Sequence, residues 1–313
     1  MRVAAFDLGT NSTRLLLADA VRDKGGSPRV LTVERRMTIT RLGEGVDLTG
    51  SLSEAAIART QAALEEFQSI VRQQGGADRV RVAGTSALRD AGNAADLEEA
   101  VREVLGVKTE VIPGKLEAWL SFVGATYDIE REVGPTDTIL VVDIGGGSTE
   151  IILGSRSAIR EDFSVNVGCV RMSERFLASD PPVATELRAM EDYVEESLQE
   201  AVLRIGNTGF NQLVGLAGTV TTLSGINLGL EEYSGPAIHH SRLGRAKVES
   251  LYAEMAAMSS AQRARFMRLE PGRSDVILGG TAILLALLRG LDAGELLVSE
   301  KDILDGLVIS SLP

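Results

Sequence analysis

A single cysteine, Cys169, occurs in the 313 residues, which excludes a disulfide framework and a thiolate metal cluster. Aromatic residues make up only 4% of the chain, so its cores must be built from Ala, Val, Ile and Leu. No apolar run approaches the roughly 20 residues that span a bilayer; the longest covers residues 282–288. The chain passes from Met1-Arg2 straight into a strand-like segment holding Asp7, without the apolar stretch and cleavage site of a secretory leader. Positive charge is in deficit as well: 32 Lys and Arg against 44 Asp and Glu leave a net charge of −12. A non-specific nucleic-acid binder is expected to be basic, so that class falls. These absences predict a cytoplasmic enzyme or binding protein with neither a nucleic-acid nor a membrane partner.

The length suffices for two domains that each bury a core. The stretch Val141-Val142-Asp143-Ile144-Gly145-Gly146-Gly147-Ser148-Thr149-Glu150-Ile151 reads as strand, glycine turn, strand. Three adjacent glycines are poor strand material, since they lose more conformational freedom on folding than other residues. Their use is an open backbone whose N–H groups close on an anion, phosphate being the commonest. A tight hairpin with no ligand is the plain alternative, but a two-residue turn needs neither three glycines nor a buried aspartate. An acidic chain that binds such an anion needs a metal ion or a focused basic track.

The same stretch occurs twice. Setting Asp7 over Asp143, an offset of 136 residues, aligns DLGTNSTRLLL with DIGGGSTEIIL without a gap. An offset of that size predicts two homologous halves, each opening with one hairpin. The halves differ at one informative point, where Arg14 stands against Glu150.

The first half reads β-β-β-α-β-α-β-α, with strands at about 3–7, 14–18 and 29–40 and a helix over 54–74 capped by Ser53. A strand at 79–84, a helix at 96–105, a strand at 107–112 and a helix at 115–127 follow. The second half repeats the order, with strands at 138–143, 149–153 and 158–165 and helices at 170–177 and 184–205. A strand at 212–216 delivers Gly218 and Thr219 to a helix start, and a helix at 275–288, a strand at 295–298 and a last helix at 302–312 complete the chain. Domain I is expected over 1–126, completed by the C-terminal helix at about 300–313, and domain II over 127–299. Residues 231–245, which hold His239 and His240, are expected to be flexible. Four strand-to-turn stations, at 7–12, 84–89, 143–150 and 215–219, predict a phosphate-binding cleft between the two domains.

The segments DLGTNSTRLL, GTSALRDAGN, IPGKLEA, VDIGGGSTEI, NVGCVRMSERF and LAGTVTTLSGI resemble the exopolyphosphatase/guanosine pentaphosphate phosphohydrolase (Ppx/GppA) family, in order and over nearly the whole chain. The resemblance implies an α/β fold of two duplicated RNase H-like domains, shared with actin, sugar kinases and heat-shock chaperones. Long members carry a C-terminal HD-type domain; this chain is similar to the short, two-domain members. The implied activity is Mg²⁺-dependent release of terminal phosphate from linear polyphosphate, with pppGpp as the alternative substrate, and relatives are often homodimers.

Carried over residue by residue, the resemblance makes Glu117 and Glu150 the carboxylates that flank the attacking water, and Arg89 a phosphate-binding cation. Asp143 becomes the magnesium ligand, with Asp7 in the same role on the opposite hairpin. Asn11, Ser12, Gly145, Gly146, Gly147, Ser148, Thr149, Gly218 and Thr219 would supply donors to the terminal phosphates. Asp305 stands where many relatives carry an arginine. A sugar kinase or nucleotide switch of the same superfold is the rival from another class, but such a kinase should present a catalytic aspartate where Glu150 stands. A phosphate sensor without catalysis is disfavoured, because Glu117, Glu150 and Asp143 are all intact.

Overall fold

The first strand, β1 (Arg2–Leu8), alternates its side chains between two apolar layers, as the period of two in a strand requires. Ala4, Phe6 and Leu8 join one buried cluster, while Val3 and Ala5 join another. A strand apolar on both faces needs helices on both sides, and the elements that follow supply them. The computed structural model describes residues 1–129, 134, 137–155 and 158–313. Its chain forms two compact units, Met1–Tyr127 with Asp302–Pro313, and Asp128–Lys301.

In the first unit β1 is followed by β2 (Ser12–Arg22), β3 (Pro28–Ile39), the short helix α1 (Val46–Thr49) and α2 (Glu54–Gln73). Ser53 caps α2 by accepting from the Ala56 N–H at 3.2 Å. Ala56, Thr60, Ala63, Leu64, Phe67 and Val71 form its buried stripe. Next come β4 (Arg79–Gly84), α3 (Ser86–Asp90), α4 (Ala94–Leu105), β5 (Thr109–Val111) and α5 (Gly114–Thr126). The sheet order is β3-β2-β1-β4-β5; β1 pairs antiparallel with β2 and parallel with β4.

The second unit repeats this plan with β6 (Ile139–Ile144), β7 (Thr149–Gly154), β8 (Ile159–Val165), α6 (Cys169–Phe176), α7 (Ala184–Thr208), β9 (Gln212–Leu216) and α8 (Ala217–Asn227). Then follow α9 (Gly235–Ile238), β10 (Arg242–Gly244), α10 (Arg245–Ala256), α11 (Ser260–Phe266), a 3-10 turn at Pro271–Arg273, α12 (Ile277–Gly290) and β11 (Glu295–Val298). Its sheet order is β10-β11-β9-β6-β7-β8. Without β10 this is the order of the first sheet, with the same parallel and antiparallel pairs. The fold is therefore two duplicated RNase H-like domains.

The last helix, α13 (Ile303–Ser310), returns to the first unit and packs on α5. The approach is close enough that a Cβ on Gly306 would lie 2.1 Å from the Leu120 carbonyl oxygen. Leu304, Leu307 and Val308 complete the layer begun by Val3 and Ala5. No described helix is long and apolar enough to cross a membrane.

Residues 231–245 differ from the expectation of a flexible segment. They hold α9 and β10, and β10 pairs antiparallel with β11 through Arg242–Leu297, Leu243–Leu296 and Gly244–Glu295. Three- and four-residue elements are too short to show a hydrophobic period; the ladder to β11 supplies the order.

Candidate active site

The two predicted hairpins are built alike. In the first unit the Gly9 N–H donates to the Ser12 carbonyl at 3.1 Å, and in the second the Gly145 N–H donates to the Ser148 carbonyl at 3.0 Å. Asp7 is paired across the ladder with Arg14, and Asp143 with Glu150. The offset of 136 residues in sequence is thus an offset in register, and the pairs that diverged in charge occupy one structural position.

In the first unit, the end of β1 lies beside β4, with Asp7 opposite Ala83 and Leu8 opposite Gly84. This sets Asn11 and Ser12, both buried, at the same sheet edge from which α3 leaves with Arg89. Asn11 takes the Thr40 and Arg41 N–H groups on its carbonyl, while its side-chain Nδ2 is buried with no hydrogen-bond partner. Arg89 donates to the Ile112 carbonyl at 2.9 Å and to Glu117 Oε2 at 2.6 Å. Glu117 is 9% exposed in the first turn of α5, where the helix dipole favours negative charge. Two residues expected from separate motifs are therefore one ion pair.

Asp7, expected as a metal ligand, has Arg14 as a side-chain partner. Its Oδ2 accepts from Arg14 Nε at 2.8 Å and lies 2.7 Å from Arg14 Nη2. Burial pushes the Asp7 carboxyl up, partly offset by the Arg14 charge. Arg14 also bonds Asp302, and Arg35 bonds Asp305. Asp305 thus belongs to a buried charge cluster with Arg35 and Asp302. Burial raises the Asp302 carboxyl, but Arg14 and Arg35 outweigh it and hold that group below the usual range.

In the second unit Asp143, Ser148, Thr149 and Glu150 are all buried, Glu150 to 1% exposure. Ser164 Oγ donates to Glu150 Oε1 at 2.8 Å, and Thr149 Oγ1 donates to the Val167 carbonyl at 2.6 Å. The Gly145–Gly147 turn is gripped from outside. Cys169 N–H donates to the Gly145 carbonyl at 2.9 Å, Val170 N–H to Gly146 at 2.9 Å, and Arg171 Nε to Gly147 at 2.9 Å. These contacts engage all three turn carbonyls, while the Gly145 N–H is taken by the Ser148 carbonyl. The grip depends on Gly168, where a Cβ would lie 2.3 Å from the Gly146 oxygen. None of the three turn glycines has a positive φ. Cys169 is buried, and burial pushes its thiol up to about 11, so it is a packing residue.

Gly218 and Thr219 start α8 beside Asp143, because Asp143 pairs with Leu216 on β9. Arg273, a residue the motifs did not single out, covers them. A Cβ on Gly218 would lie 2.1 Å from Arg273 Cζ. The Arg273 side chain is 10% exposed, and its Nε lies 3.5 Å from Glu270 Oε2, an ion pair without a hydrogen bond. Nothing in its local sequence marks it; it lies 55 positions from Gly218 and reaches it only through the packing that follows α11.

The chain resembles known proteins along nearly its whole length. The chain is 41% identical to exopolyphosphatase 2 of Mycobacterium tuberculosis over 322 aligned residues, covering 99% of this chain and 98% of that protein. It is 32% identical to the guanosine-5'-triphosphate,3'-diphosphate pyrophosphatase of Photobacterium profundum, over 97% of this chain and 58% of that one. The crystal structure of an exopolyphosphatase-like protein superposes with a TM-score of 0.90 at 34% identity, covering 99% of this chain and 97% of that chain. Residues 20–313 match the Ppx/GppA phosphatase family, and the chain belongs to that family.

Proposed function

We propose that this protein is an exopolyphosphatase that releases orthophosphate from the end of linear inorganic polyphosphate by direct attack of water. The observation that carries the reading is Glu150. It is a carboxylate 1% exposed, fixed by Ser164, at the hairpin position where the first unit has Arg14. Anion binding alone has no use for a buried negative charge beside a phosphate loop, whereas hydrolysis needs a base. Full-length similarity to a mycobacterial exopolyphosphatase supports the same substrate class.

In this reading Glu150 and Glu117 orient the water and take its proton. Arg89 holds Glu117 through the 2.6 Å contact and offers its remaining N–H groups to phosphate oxygens. Asn11, Ser12, Gly146, Gly147, Ser148, Gly218 and Thr219 donate to the phosphates, Gly145 and Thr149 hold the turn through their bonds to Ser148 and Val167, and Arg273 adds a buried positive charge at the start of α8. Asp143, a buried hard oxygen donor at the end of β6, suits Mg²⁺ held partly through water. When bound, the ion would offset negative charge on the phosphate oxygens. Asp7, bound by Arg14, is better suited to hold that guanidinium than a metal.

Phosphate release measured in parallel on short polyphosphate, long polyphosphate, pppGpp and ATP, with and without Mg²⁺, tests the reading. Preference for polyphosphate supports it. Preference for pppGpp would move the substrate to that of the Photobacterium relative, and turnover of ATP alone would overturn the assignment.

A further inference from the structure

Asp128, His239 and His240, none of which belongs to the four strand-to-turn stations, bring three metal-ligating groups together within the second unit, their ligand atoms all within 4.8 Å of one another. His239 Nε2 lies 3.1 Å from Asp128 Oδ2, and His240 Nε2 lies 3.7 Å from Asp128 Oδ1. The two imidazoles stack with ring centroids 3.8 Å apart, so both present Nε2 to one carboxylate.

The tautomer of His239 follows from its other nitrogen. Its Nδ1 accepts from the Glu300 N–H at 3.2 Å, which puts the neutral ring's proton on Nε2 and makes that atom a donor to Asp128 Oδ2. His240 is different. Its Nε2 and the facing Asp128 Oδ1 are both buried, and neither has a hydrogen-bond partner. The backbone holds the ring there at φ 62, with its N–H donating to the Val298 carbonyl at 2.7 Å. A strained non-glycine φ beside two unsatisfied buried atoms is the pattern of a ligand clamp.

We propose that Asp128 Oδ1 and His240 Nε2 are the protein ligands of a first-row transition cation of the Zn²⁺ type, with His239 fixing the second carboxylate oxygen. Bonds of about 2.0–2.2 Å to one ion place two ligand atoms roughly 3.0–3.7 Å apart, and the 3.7 Å separation fits the open end of that range. Imidazole selects Zn²⁺, Co²⁺ or Ni²⁺ over Mg²⁺, so this site is chemically distinct from an all-oxygen site at Asp143. Water completes the coordination, since the Asp128 and His240 side chains are 30% and 24% exposed. The ring above the carboxylate is the outer-shell support that ligating carboxylates normally have. The ion would staple the segment bearing α9 to the chain where it enters the second unit.

The test uses the full chain freed of any affinity tag, with Mg²⁺ present to fill oxygen sites. Co²⁺ is titrated by visible absorption and Zn²⁺ by calorimetry. One equivalent of Co²⁺ should bind with a d–d spectrum that Zn²⁺ displaces. His240→Asn and Asp128→Asn should each weaken binding by about 30-fold or more, while His239→Gln, which keeps a donor to the carboxylate, should stay within about 5-fold of wild type. Thermal melts establish that each variant is folded, and either ligand variant alone decides the outcome. Absence of Co²⁺ binding up to about 1 mM, which a plain histidine–aspartate ion pair predicts, would overturn the proposal. So would binding that survives in folded His240→Asn.

Discussion

Glu150 stands directly across the β6–β7 ladder from Asp143, in the register that places Arg14 across from Asp7 in the first unit. One duplicated hairpin has therefore kept its aspartate twice and changed the facing residue from cation to anion. In the first unit the pair neutralises itself, with Arg14 bound to Asp7. In the second, two carboxylates share one hairpin, an arrangement that favours a cation or a proton-accepting role.

Replacing Glu150 with Gln keeps size and the Ser164 contact but removes the base. Turnover of short polyphosphate should fall by about 10²-fold or more with KM little changed. Ser164→Ala, which frees the carboxylate from its 2.8 Å contact, should cost about 10-fold or less. Steady-state phosphate release checks both, and a fully active Glu150→Gln would remove this residue from the mechanism.

The Arg89–Glu117 pair predicts non-additivity. Glu117→Gln and Arg89→Ala should each lower kcat/KM by about 10²-fold, and the double variant should lose less than the product of the two. Additive losses would mean that Arg89 acts on phosphate without acting through Glu117. Arg89→Lys should not restore full activity, since a lysine cannot hold the Ile112 carbonyl, Glu117 and a phosphate in one plane.

Metal removal should abolish turnover. Chelation followed by Mg²⁺ addition should restore it, and Asp143→Asn should raise the Mg²⁺ concentration for half-maximal rate by about 10-fold or more. Asp7→Asn should leave that concentration unchanged, because Arg14 already occupies the Asp7 carboxylate.

Gly168→Ala tests the grip of α6 on the glycine turn. The added methyl meets backbone atoms of Gly146 and Gly147 at 2.3–2.5 Å, which cannot rotate away as a side chain could. A cost of about 2 kcal/mol and a Tm lower by about 5 °C are expected in a thermal melt, together with reduced turnover.

Acid should act on the first unit through Asp302. Its carboxyl lies below its ordinary value when folded, because Arg14 and Arg35 outweigh the effect of burial. Such a group contributes stability that is fully present above the unfolded value of about 3.9 and is lost as pH falls toward the folded one. Asp7 has the opposite sign: burial raises its folded carboxyl, so the cost of keeping it ionised disappears on acidification. Asp302→Asn should therefore lower Tm at neutral pH and flatten its decline at acid pH. A profile parallel to wild type would show that Asp302 contributes no pH-dependent stability.

The amino-acid sequence determined the duplicated plan. Alternation of apolar residues, the capped helix at Ser53 and the 136-residue repeat are local patterns, and local patterns are written in adjacent residues. The repeat also carried the contrast between Arg14 and Glu150, which is the chemical difference between the halves. What only the tertiary structure decided are contacts between residues far apart in the chain. Arg89 meets Glu117, Arg273 covers Gly218, and Gly168 admits α6 to the glycine turn. No periodicity encodes these, because each depends on how separate elements pack. The same holds for residues 231–245: they are expected to be flexible, yet pairing to β11 gives β10 its order, and the bonds of His239 and His240 to Glu300 and Val298 anchor the loop between α9 and β10. Residue types follow from sequence, whereas which charge meets which is a property of the packed chain.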